Sequence, residues 1–180
     1  MKIFAIRHGQ TESGKNGVIA YPWETLNETG RTQAISLREE IAKLNIDYVY
    51  CSPFQRAIET CKLACPYIDN VQTDDLLAER DVGIYAGVPF SDLDWDIFWN
   101  LNENNSVYKE CESMLQVTAR VNEFLSKLKS QYKHEDVNIL LVTHGGILCA
   151  LDWLGNGYTI NGNIRDGAHD NCRVYTFPLL

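Results

Sequence analysis

The sequence predicts a layered α/β fold with a mostly parallel central sheet. Three short apolar runs, Ile3–Ile6, Tyr48–Tyr50 and Ile139–Val142, are rich in β-branched and aromatic residues. Such runs are typical of strands that are buried on both faces. Amphipathic helical patterns lie between the runs. Strands that alternate with helices indicate an α/β architecture.

Three helices are predicted between these strands. The first, from Thr29 to Leu44, places apolar residues at helical spacing with charged residues opposite. The second opens at Ser52-Pro53, because serine is a favoured N-cap and proline suits the first helical position. It should end near Cys65, since Pro66 stops it. The third runs from Val117 to Leu128 with one apolar side.

Two stretches depart from this alternation. Residues 84–112 combine many aromatic residues with acidic residues and asparagine, and we interpret them as an insertion over one end of the sheet. It can serve as a substrate-facing cap, as a small satellite core, or as both. Residues 155–171 are rich in glycine and asparagine and predict a long loop, a feature that is often functional. Within this loop His169 is expected to be a surface residue, although it could touch substrate. A further strand is predicted from Cys172 to Phe177.

Composition narrows the class of protein. A length of 180 residues fits one domain over residues 1–180. The net charge of −8 argues against nucleic acid or an anionic membrane as partner. The six cysteines form no Cys-x-x-Cys pair and no zinc spacing, so reduced thiols in a cytoplasmic protein are expected. We expect neither a bound metal nor a cofactor. The N-terminal apolar run is too short for a signal peptide, and no stretch is long enough to cross a membrane. The oligomeric state is not readable from the sequence.

Each apolar run leads into polar residues that suit a phosphate. The first leads into Arg7-His8-Gly9, the second into Cys51-Ser52-Pro53 with Arg56 shortly after, and the third into Thr143-His144-Gly145-Gly146. Ligands of open α/β sheets bind beyond the carboxyl ends of the strands. If the strands are parallel and adjacent, two arginines, two histidines and a helix N-terminus would meet there. Arginine forks and free backbone N–H groups favour a dianionic phosphate, and the glycines let the backbone come close to it.

These motifs, in this order, resemble those of the histidine phosphatase superfamily, also called the phosphoglycerate mutase-like family. The resemblance rests on Arg7–Thr11, Ser52–Thr60, Leu77-Ala78-Glu79 and Thr143–Gly146, and it extends over nearly the whole chain. It implies a three-layer α/β/α sandwich. It also implies a small phosphorylated substrate and a phosphatase activity that needs no metal.

The resemblance implies a role for each matching residue. His8 would be the nucleophile that becomes phosphohistidine, and Glu79 would be the general acid. Arg7, Arg56 and His144 would bind the phosphoryl oxygens. The full set of phosphate-binding candidates is Arg7, Gly9, Thr11, Arg56, His144 and Gly145. A nucleophilic imidazole must be neutral, and nearby arginines oppose its protonation. The same cations would stabilise the transferring phosphoryl group.

Three departures from the family pattern leave the substrate open. Gly14 stands where the family often has asparagine, Trp23 opens the segment before the first helix, and Ala86 stands in place of glutamate. Trp23 and Tyr21 could contribute to the substrate pocket, although ordinary packing explains them equally well.

The acceptor of the phosphoryl group is also open to more than one interpretation. Between Gly87 and Glu112, Lys109 is the only basic residue, which favours water as acceptor and argues against a multiply charged substrate. The aromatic residues there would suit a moderately apolar or ring-bearing ester. One alternative is a mutase-type phosphotransferase. The other is a non-catalytic phospholigand-binding module, against which the intact His8 and Glu79 count.

Overall fold

A computed structural model of the chain describes residues 1–101, 107–157, 164 and 169–177. The strands in these ranges are β1 (Lys2–Arg7), β2 (Tyr48–Cys51), β3 (Val71–Thr73), β4 (Asn138–Thr143) and β5 (Val174–Phe177). The α-helices in these ranges are α1 (Glu12–Lys15), α2 (Glu28–Ser36), α3 (Arg38–Ala42), α4 (Gln55–Ala64), α5 (Trp95–Phe98), α6 (Met114–Gln131) and α7 (Gly145–Asn156). Among the described residues no helix combines the length and the apolar character that crossing a membrane requires.

The five strands form one sheet in the order β3-β2-β4-β1-β5. Strands β1 to β4 are parallel and only β5 is antiparallel, so the prediction of a mostly parallel sheet is confirmed. Strand β4 lies between β1 and β2, and Val142 is opposite both Ile6 and Cys51. The carboxyl ends of these three strands therefore lie side by side at one edge of the sheet.

Helices cover both faces of the sheet, which confirms the three-layer architecture. Along β4, Ile139 and Leu141 pack in one core with residues of α6 and α7. Leu140 and Val142 point to the other face and pack with residues of α3 and α4. Because successive side chains of a strand point to opposite faces, an unbroken apolar run is what a doubly covered strand requires.

The region predicted as one helix from Thr29 to Leu44 is two helices, so that prediction is wrong in its continuity. Leu37 separates α2 from α3, and its N–H bonds the Ala34 carbonyl three residues back. This tighter turn interrupts the regular α-helical bonding. Leu37 and Ile41 are both buried in the core under α4, which stabilises the offset between the two helices.

The predicted start of the second helix at Ser52-Pro53 is also wrong. Helix α4 begins at Gln55 and has Phe54 as its N-cap, without a side-chain hydrogen bond to the cap. The Ser52 hydroxyl has other contacts. It accepts the Phe54 N–H at 3.3 Å and is hydrogen-bonded to His144. The chain therefore needs an extra turn after β2 before it becomes helical. The predicted end near Cys65 agrees with α4, for which Cys65 is the C-cap.

Strand β3 and helix α7 were not predicted from the sequence. Strand β3 has three exposed residues, so it lacks the apolar signal of the buried strands. In helix α7 the residues from Gly146 to Leu151 are all buried, and several of them pack in one core with residues of the sheet and of α6. The helix predicted from Val117 to Leu128 lies inside α6, which opens with a reciprocal capping box between Ser113 and Gln116. The last strand begins at Val174, two residues after its predicted start.

The aromatic segment, residues 82–111, forms a small hydrophobic cluster of its own. Its buried members are Ile19, Leu93, Phe98, Tyr108 and Cys111. An isolated antiparallel bridge between Val18 and Pro89 joins the segment to the chain that follows α1. Residues 102–106 of this stretch, and residues 158–163 and 165–168 of the predicted late loop, lie outside the described residues.

Candidate active site

The carboxyl ends of β1, β2 and β4 bring the two motif histidines and one arginine together. The ring centroids of His8 and His144 are 5.0 Å apart. Arg56, in the first turn of α4, donates from Nε to His8 Nε2 at 3.2 Å. All three side chains are buried. The meeting of strand ends that the sequence implied is therefore present in the structure.

The hydrogen bonds of His8 define which ring nitrogen carries the proton. His8 Nδ1 lies 2.7 Å from the Gly9 carbonyl oxygen. A carbonyl oxygen only accepts, so Nδ1 must hold the proton. The lone pair of a neutral ring is then on Nε2, which agrees with the donation from Arg56. Nε2 is thus the nitrogen of His8 with a lone pair to give to an electrophile.

Arg56 is held on its other side by backbone carbonyls. Its Nη1 donates to the Tyr21 carbonyl at 2.9 Å and to the Pro22 carbonyl at 3.4 Å. The neighbouring Trp23 is 70% exposed and its ring stacks on that of Tyr21. The segment before α2 therefore positions Arg56 through its backbone.

His144 is the N-cap residue of α7 and is fully buried. Its Nε2 lies 2.7 Å from the Ser52 hydroxyl oxygen. When that hydroxyl donates to Nε2, the proton of the neutral ring is on Nδ1. His144 Nδ1 and Arg7 Nε are both buried without a hydrogen-bond partner in the described parts of the chain. An unpaired buried donor is costly, and an anion is the partner that would satisfy two of them.

Burial and positive charge keep both histidines neutral. Burial, followed by the charges of Arg56 and Arg7, holds the pKa of His8 well below its ordinary value. The pKa of His144 is lowered by burial first and then by Arg56. Desolvation disfavours the charged form, and neighbouring cations act in the same direction. The site is therefore a positively charged cluster in which the imidazoles remain unprotonated.

Arg7 lies at the end of β1 and is anchored from the C-terminal part of the chain. Its Nη1 donates to the His169 carbonyl at 2.9 Å. A side chain at Gly145 would have its Cβ 3.5 Å from the Arg7 guanidinium carbon. The backbone at the start of α7 therefore runs in contact with this guanidinium.

Glu79 follows a short 3-10 turn and is half-buried near the start of α7. One carboxylate oxygen accepts the Arg80 N–H at 2.9 Å and the other accepts the Gly146 N–H at 3.4 Å. A Cβ on Gly146 would lie 2.5 Å from the carboxylate and 3.2 Å from the Trp99 ring. Position 146 must therefore be glycine for Glu79 and Trp99 to occupy their places.

Arg80 ties the Glu79 loop to the aromatic segment. Its guanidinium donates to the Glu112 carbonyl at 2.6 Å and to the Phe98 carbonyl. It also lies over the Phe98 ring, 4.2 Å from the centroid. Arg80 is buried, so its cationic head is held among these partners.

Gly9 and Thr11 hold the loop after β1. The Gly9 N–H donates to the Thr60 hydroxyl on α4 at 3.0 Å. A Cβ on Gly9 would be 2.4 Å from the Gly30 carbonyl oxygen, so only glycine fits against α2. Thr11 is buried as the N-cap of α1, where its hydroxyl accepts the Gly14 N–H at 3.1 Å. The family often has asparagine where Gly14 stands, and Asn16 is the next asparagine along the chain. Asn16 is exposed and its amide donates to Glu12, so this geometry does not support it as a replacement.

Several residues that hold the site were not predicted from the sequence. Ser52 and Thr60 belong to a recognised motif, but their bonds to His144 and Gly9 were not foreseen. Asn171 donates from Nδ2 to the His8 carbonyl at 2.6 Å. The expectation that His169 is a surface residue is wrong, because only 5% of it is exposed. Asn171-Cys172, which resembles the start of the family's final strand, was the one available signal for this part of the site.

The site opens into a cavity of about 1020 Å³. Arg7, His8, Thr11, Arg56, Glu79 and Gly145 line it, whereas Gly9 and His144 are not among its lining residues. The aromatic segment supplies much of the opposite wall, with Phe90, Trp95, Phe98 and Trp99. The cavity is far larger than one phosphate, so it has room for the group to which a phosphate is attached.

No cluster of His, Cys, Asp and Glu suited to a metal ion occurs among the described residues. The six cysteines form no disulfide. Arg7 and Arg56 supply positive charge beside His8, and this charge suits an anion.

The class of protein is indicated by an α/β fold with histidine and arginine at the carboxyl ends of its parallel strands. The sequence matches the histidine phosphatase superfamily (branch 1) over residues 3–178, and the chain belongs to that family. It is 31% identical over 157 residues to a probable phosphatase of Schizosaccharomyces pombe, a match that covers 84% of this chain and 71% of that protein. It is also 34% identical over 164 residues to agropine synthesis reductase of Rhizobium rhizogenes, covering 86% of this chain but 35% of that protein.

Solved structures share the fold. A mycobacterial glucosyl-3-phosphoglycerate phosphatase in complex with VO3 superposes with a TM-score of 0.82 at 22% sequence identity. The match covers 97% of this chain and 91% of that one. At this identity the likeness establishes the architecture and leaves the substrate to be argued from the site.

Proposed function

We propose that the protein is a metal-independent phosphomonoester hydrolase that acts through a phosphohistidine on His8. The observation that carries this proposal is the hydrogen bonding of His8. Its Nδ1 is bonded to the Gly9 carbonyl, so the lone pair is on Nε2, beside Arg56. A neutral imidazole with an oriented lone pair next to a fixed cation suits attack on a bound phosphate. Membership of the histidine phosphatase superfamily supports the same activity.

In the first half of the reaction, the His8 Nε2 lone pair attacks phosphorus. An N–P bond forms, and the bond between phosphorus and the alcohol oxygen breaks. Glu79, as the carboxylic acid, gives its proton to the departing oxygen, so the alcohol leaves neutral. The products of this half are phosphohistidine, the alcohol and the Glu79 carboxylate.

In the second half, water replaces the alcohol. The Glu79 carboxylate takes a proton from water while the water oxygen attacks phosphorus and the N–P bond breaks. Inorganic phosphate leaves, His8 is neutral again and Glu79 is again protonated. No atom of the enzyme is consumed, so the cycle balances with water as the only second substrate.

Charge stabilisation comes from Arg7, Arg56 and His144. Phosphoryl transfer depends mainly on positioning and on cations that match the charge of the transferring group. The two unpaired donors, Arg7 Nε and His144 Nδ1, are suited to hydrogen bonds with phosphoryl oxygens. With these groups in place the reaction has no need of a bound metal ion.

The aromatic segment would act as a cap over the leaving group. It faces the phosphate-binding residues across the cavity and is tied to the Glu79 loop through Arg80. Its aromatic side chains favour a ring-bearing or moderately apolar alcohol, and the aliphatic loop from Val18 to Ala20 extends the same wall. The substrate is accordingly a small phosphomonoester.

The test is phosphate release from a panel of phosphomonoesters in excess chelator. The wild type should release phosphate without added metal. It should also form a phosphoenzyme that is stable in base and labile in acid when labelled with ³²P. His8→Ala should lower kcat by at least about 10³-fold, because the nucleophile is lost. His134→Ala, at an exposed position after α6, is the control and should behave as the wild type.

Four results would count against the proposal. Turnover retained in His8→Ala would remove the nucleophile assignment. Activity lost in chelator and restored by a divalent ion would refute metal independence. Binding of phosphate without any turnover between acidic and basic pH would indicate a binding module instead. A long-lived phosphoenzyme that passes its phosphate to a sugar acid rather than to water would indicate a mutase.

A further inference from the structure

The segment from His169 to Cys172 runs along the end of β1 and holds the Arg7-His8 pair. The Arg7 carbonyl accepts the Cys172 N–H at 3.0 Å. The His8 carbonyl accepts from Asn171 Nδ2 at 2.6 Å. The Arg7 guanidinium donates to the His169 carbonyl at 2.9 Å. This segment, which we call the C-terminal wall, contacts backbone and side chain of the two residues nearest the proposed phosphate.

The imidazole of His169 connects the C-terminal wall to α7. Its Nε2 lies 2.7 Å from a carboxylate oxygen of Asp152, which is on α7. Its ring packs edge-on against Tyr175 with centroids 4.5 Å apart, and Cys149 Sγ lies 3.9 Å from Nδ1. Burial lowers the pKa of His169 and Asp152 opposes that change. A neutral ring that donates from Nε2 to Asp152 accounts for all of these contacts.

A continuous chain of contacts therefore leads from α7 to the guanidinium of Arg7. Asp152 holds the imidazole of His169, and the carbonyl of His169 holds Arg7 Nη1. The same helix carries His144 at its N-terminus. Helix α7 thus reaches the phosphate site twice: through His144 directly, and through Asp152 by way of the C-terminal wall.

We propose that Asp152 and His169 are positioning residues that orient Arg7 for phosphate binding. The inference rests on the proposed function, because it assigns Arg7 to the phosphoryl oxygens. An arginine side chain loses much rotamer freedom when it is held in one orientation. If Nη1 is already bonded to a fixed carbonyl, that entropy is lost on folding rather than on binding. The remaining N–H groups of Arg7 are then presented to the anion in advance.

Orthophosphate binding measures this orientation without requiring turnover. The experiment is titration calorimetry of the whole chain with inorganic phosphate, paired with steady-state kinetics on one phosphomonoester. Asp152→Ala should weaken phosphate binding about tenfold, the scale of a hydrogen bond to a charged group. The KM should rise by a similar factor, with a smaller fall in kcat, because Nε2 of His8 and the Glu79 carboxyl are unchanged.

Two variants separate positioning from a general structural role. Asp152→Asn retains an oxygen that can accept from His169 Nε2, so phosphate binding should return to within about threefold of the wild type. Glu123→Ala removes a carboxylate of α6, whose ion pair with Lys127 is exposed and lies outside the wall. It should bind phosphate as the wild type does. Thermal unfolding of each variant checks that the comparison is made between folded proteins.

Some outcomes would overturn the inference. A folded Asp152→Ala protein with wild-type phosphate affinity would remove the positioning role. An Asp152→Asn protein as weak as Asp152→Ala would also do so, because the hydrogen bond would then be irrelevant. Should Asp152→Ala fail to fold, the ¹⁵N shifts of His169 in the wild type decide: a proton on Nδ1 rather than Nε2 contradicts the pair. A wild type that binds no phosphate at all refutes the proposed function and is recognised before any variant is compared.

Discussion

The two walls of the cavity are built in different ways. The phosphate side is formed where β1, β2 and β4 end, and its side chains are fixed by backbone hydrogen bonds and by glycines that admit no Cβ. The aromatic segment has one short α-helix among its described residues, and it is held mainly by ring-to-ring packing. One wall is thus defined by sheet topology and the other by the shapes of side chains.

This difference means that the shape of the aromatic wall can change while the phosphate side keeps its geometry. Moving His8, Arg56 or His144 requires a change in the register of parallel strands, which would disturb the whole core. Replacing an aromatic residue of the segment changes the local shape of the cavity and leaves the sheet intact. Glu79 lies at the border, because it accepts the N–H of Gly146 in α7, and Trp99 lies beside the same glycine.

The largest effect on activity is expected at Glu79, which lies between the two walls. Glu79→Gln should lower kcat about 10²-fold or more for esters of poorly acidic alcohols, because the amide cannot protonate the leaving oxygen. Esters of acidic phenols need little protonation and should be affected much less. A series of substrates with graded leaving-group pKa, measured as kcat/KM, gives the slope of this dependence. Equal losses across the series would show that Glu79 has no role in proton transfer.

The next effect concerns the pH dependence of the free energy of unfolding, to which the two buried histidines should contribute. The folded-state pKa of His8 and of His144 lies below the ordinary value of 6.5. The unfolded chain therefore takes up protons first as the pH falls, so stability is retained above about pH 6.5 and is lost below it. Each histidine should contribute up to about 1.4 kcal/mol per pH unit to that loss.

Urea unfolding at several pH values between 7 and 5 measures this slope. His8→Gln should reduce it by the share of one histidine, whereas His134→Gln, at an exposed position, should leave it unchanged. A slope that is the same in all three proteins would mean that the buried imidazoles do not remain neutral in the folded state.

The smallest effect is expected on the aromatic side. Trp99→Leu should raise the KM for a bulky, ring-bearing phosphomonoester about three- to tenfold, the scale of one lost aromatic contact. Orthophosphate affinity should change less than about twofold, because no phosphate ligand is altered. Ile84→Ala, at an exposed position of the same segment, is the matched control. If phosphate affinity fell as much as ester affinity did, the two walls would not be independent.

The sequence predicted the sheet and the phosphate side well because both depend on local patterns. Apolar runs marked the strands β1, β2 and β4, and the residues after each run could be expected to meet once the strands were taken as parallel. The predicted placement of His8, Arg56 and His144 at one edge agrees with the structure. Their catalytic roles stay predictions.

Contacts between residues that are far apart in the chain could not be predicted from local sequence patterns. The kink at Leu37 depends on the core under α4, and the bond between Ser52 and His144 joins residues far apart in the chain. His169 looked like a surface residue because its neighbours in sequence are polar and flexible types. Its burial comes from Asp152 and Tyr175, contacts that no local pattern encodes.

The bond from Asn171 to His8 also has a consequence for how the protein is made. The two residues are 163 positions apart in the chain. A nascent chain synthesised as far as α7 already contains His8, Arg56, Glu79 and His144. It still lacks the C-terminal wall, which holds His8. Ribosome-bound intermediates should therefore fold much of the sheet while remaining inactive, and the site would be completed only when the segment around residue 171 has left the exit tunnel.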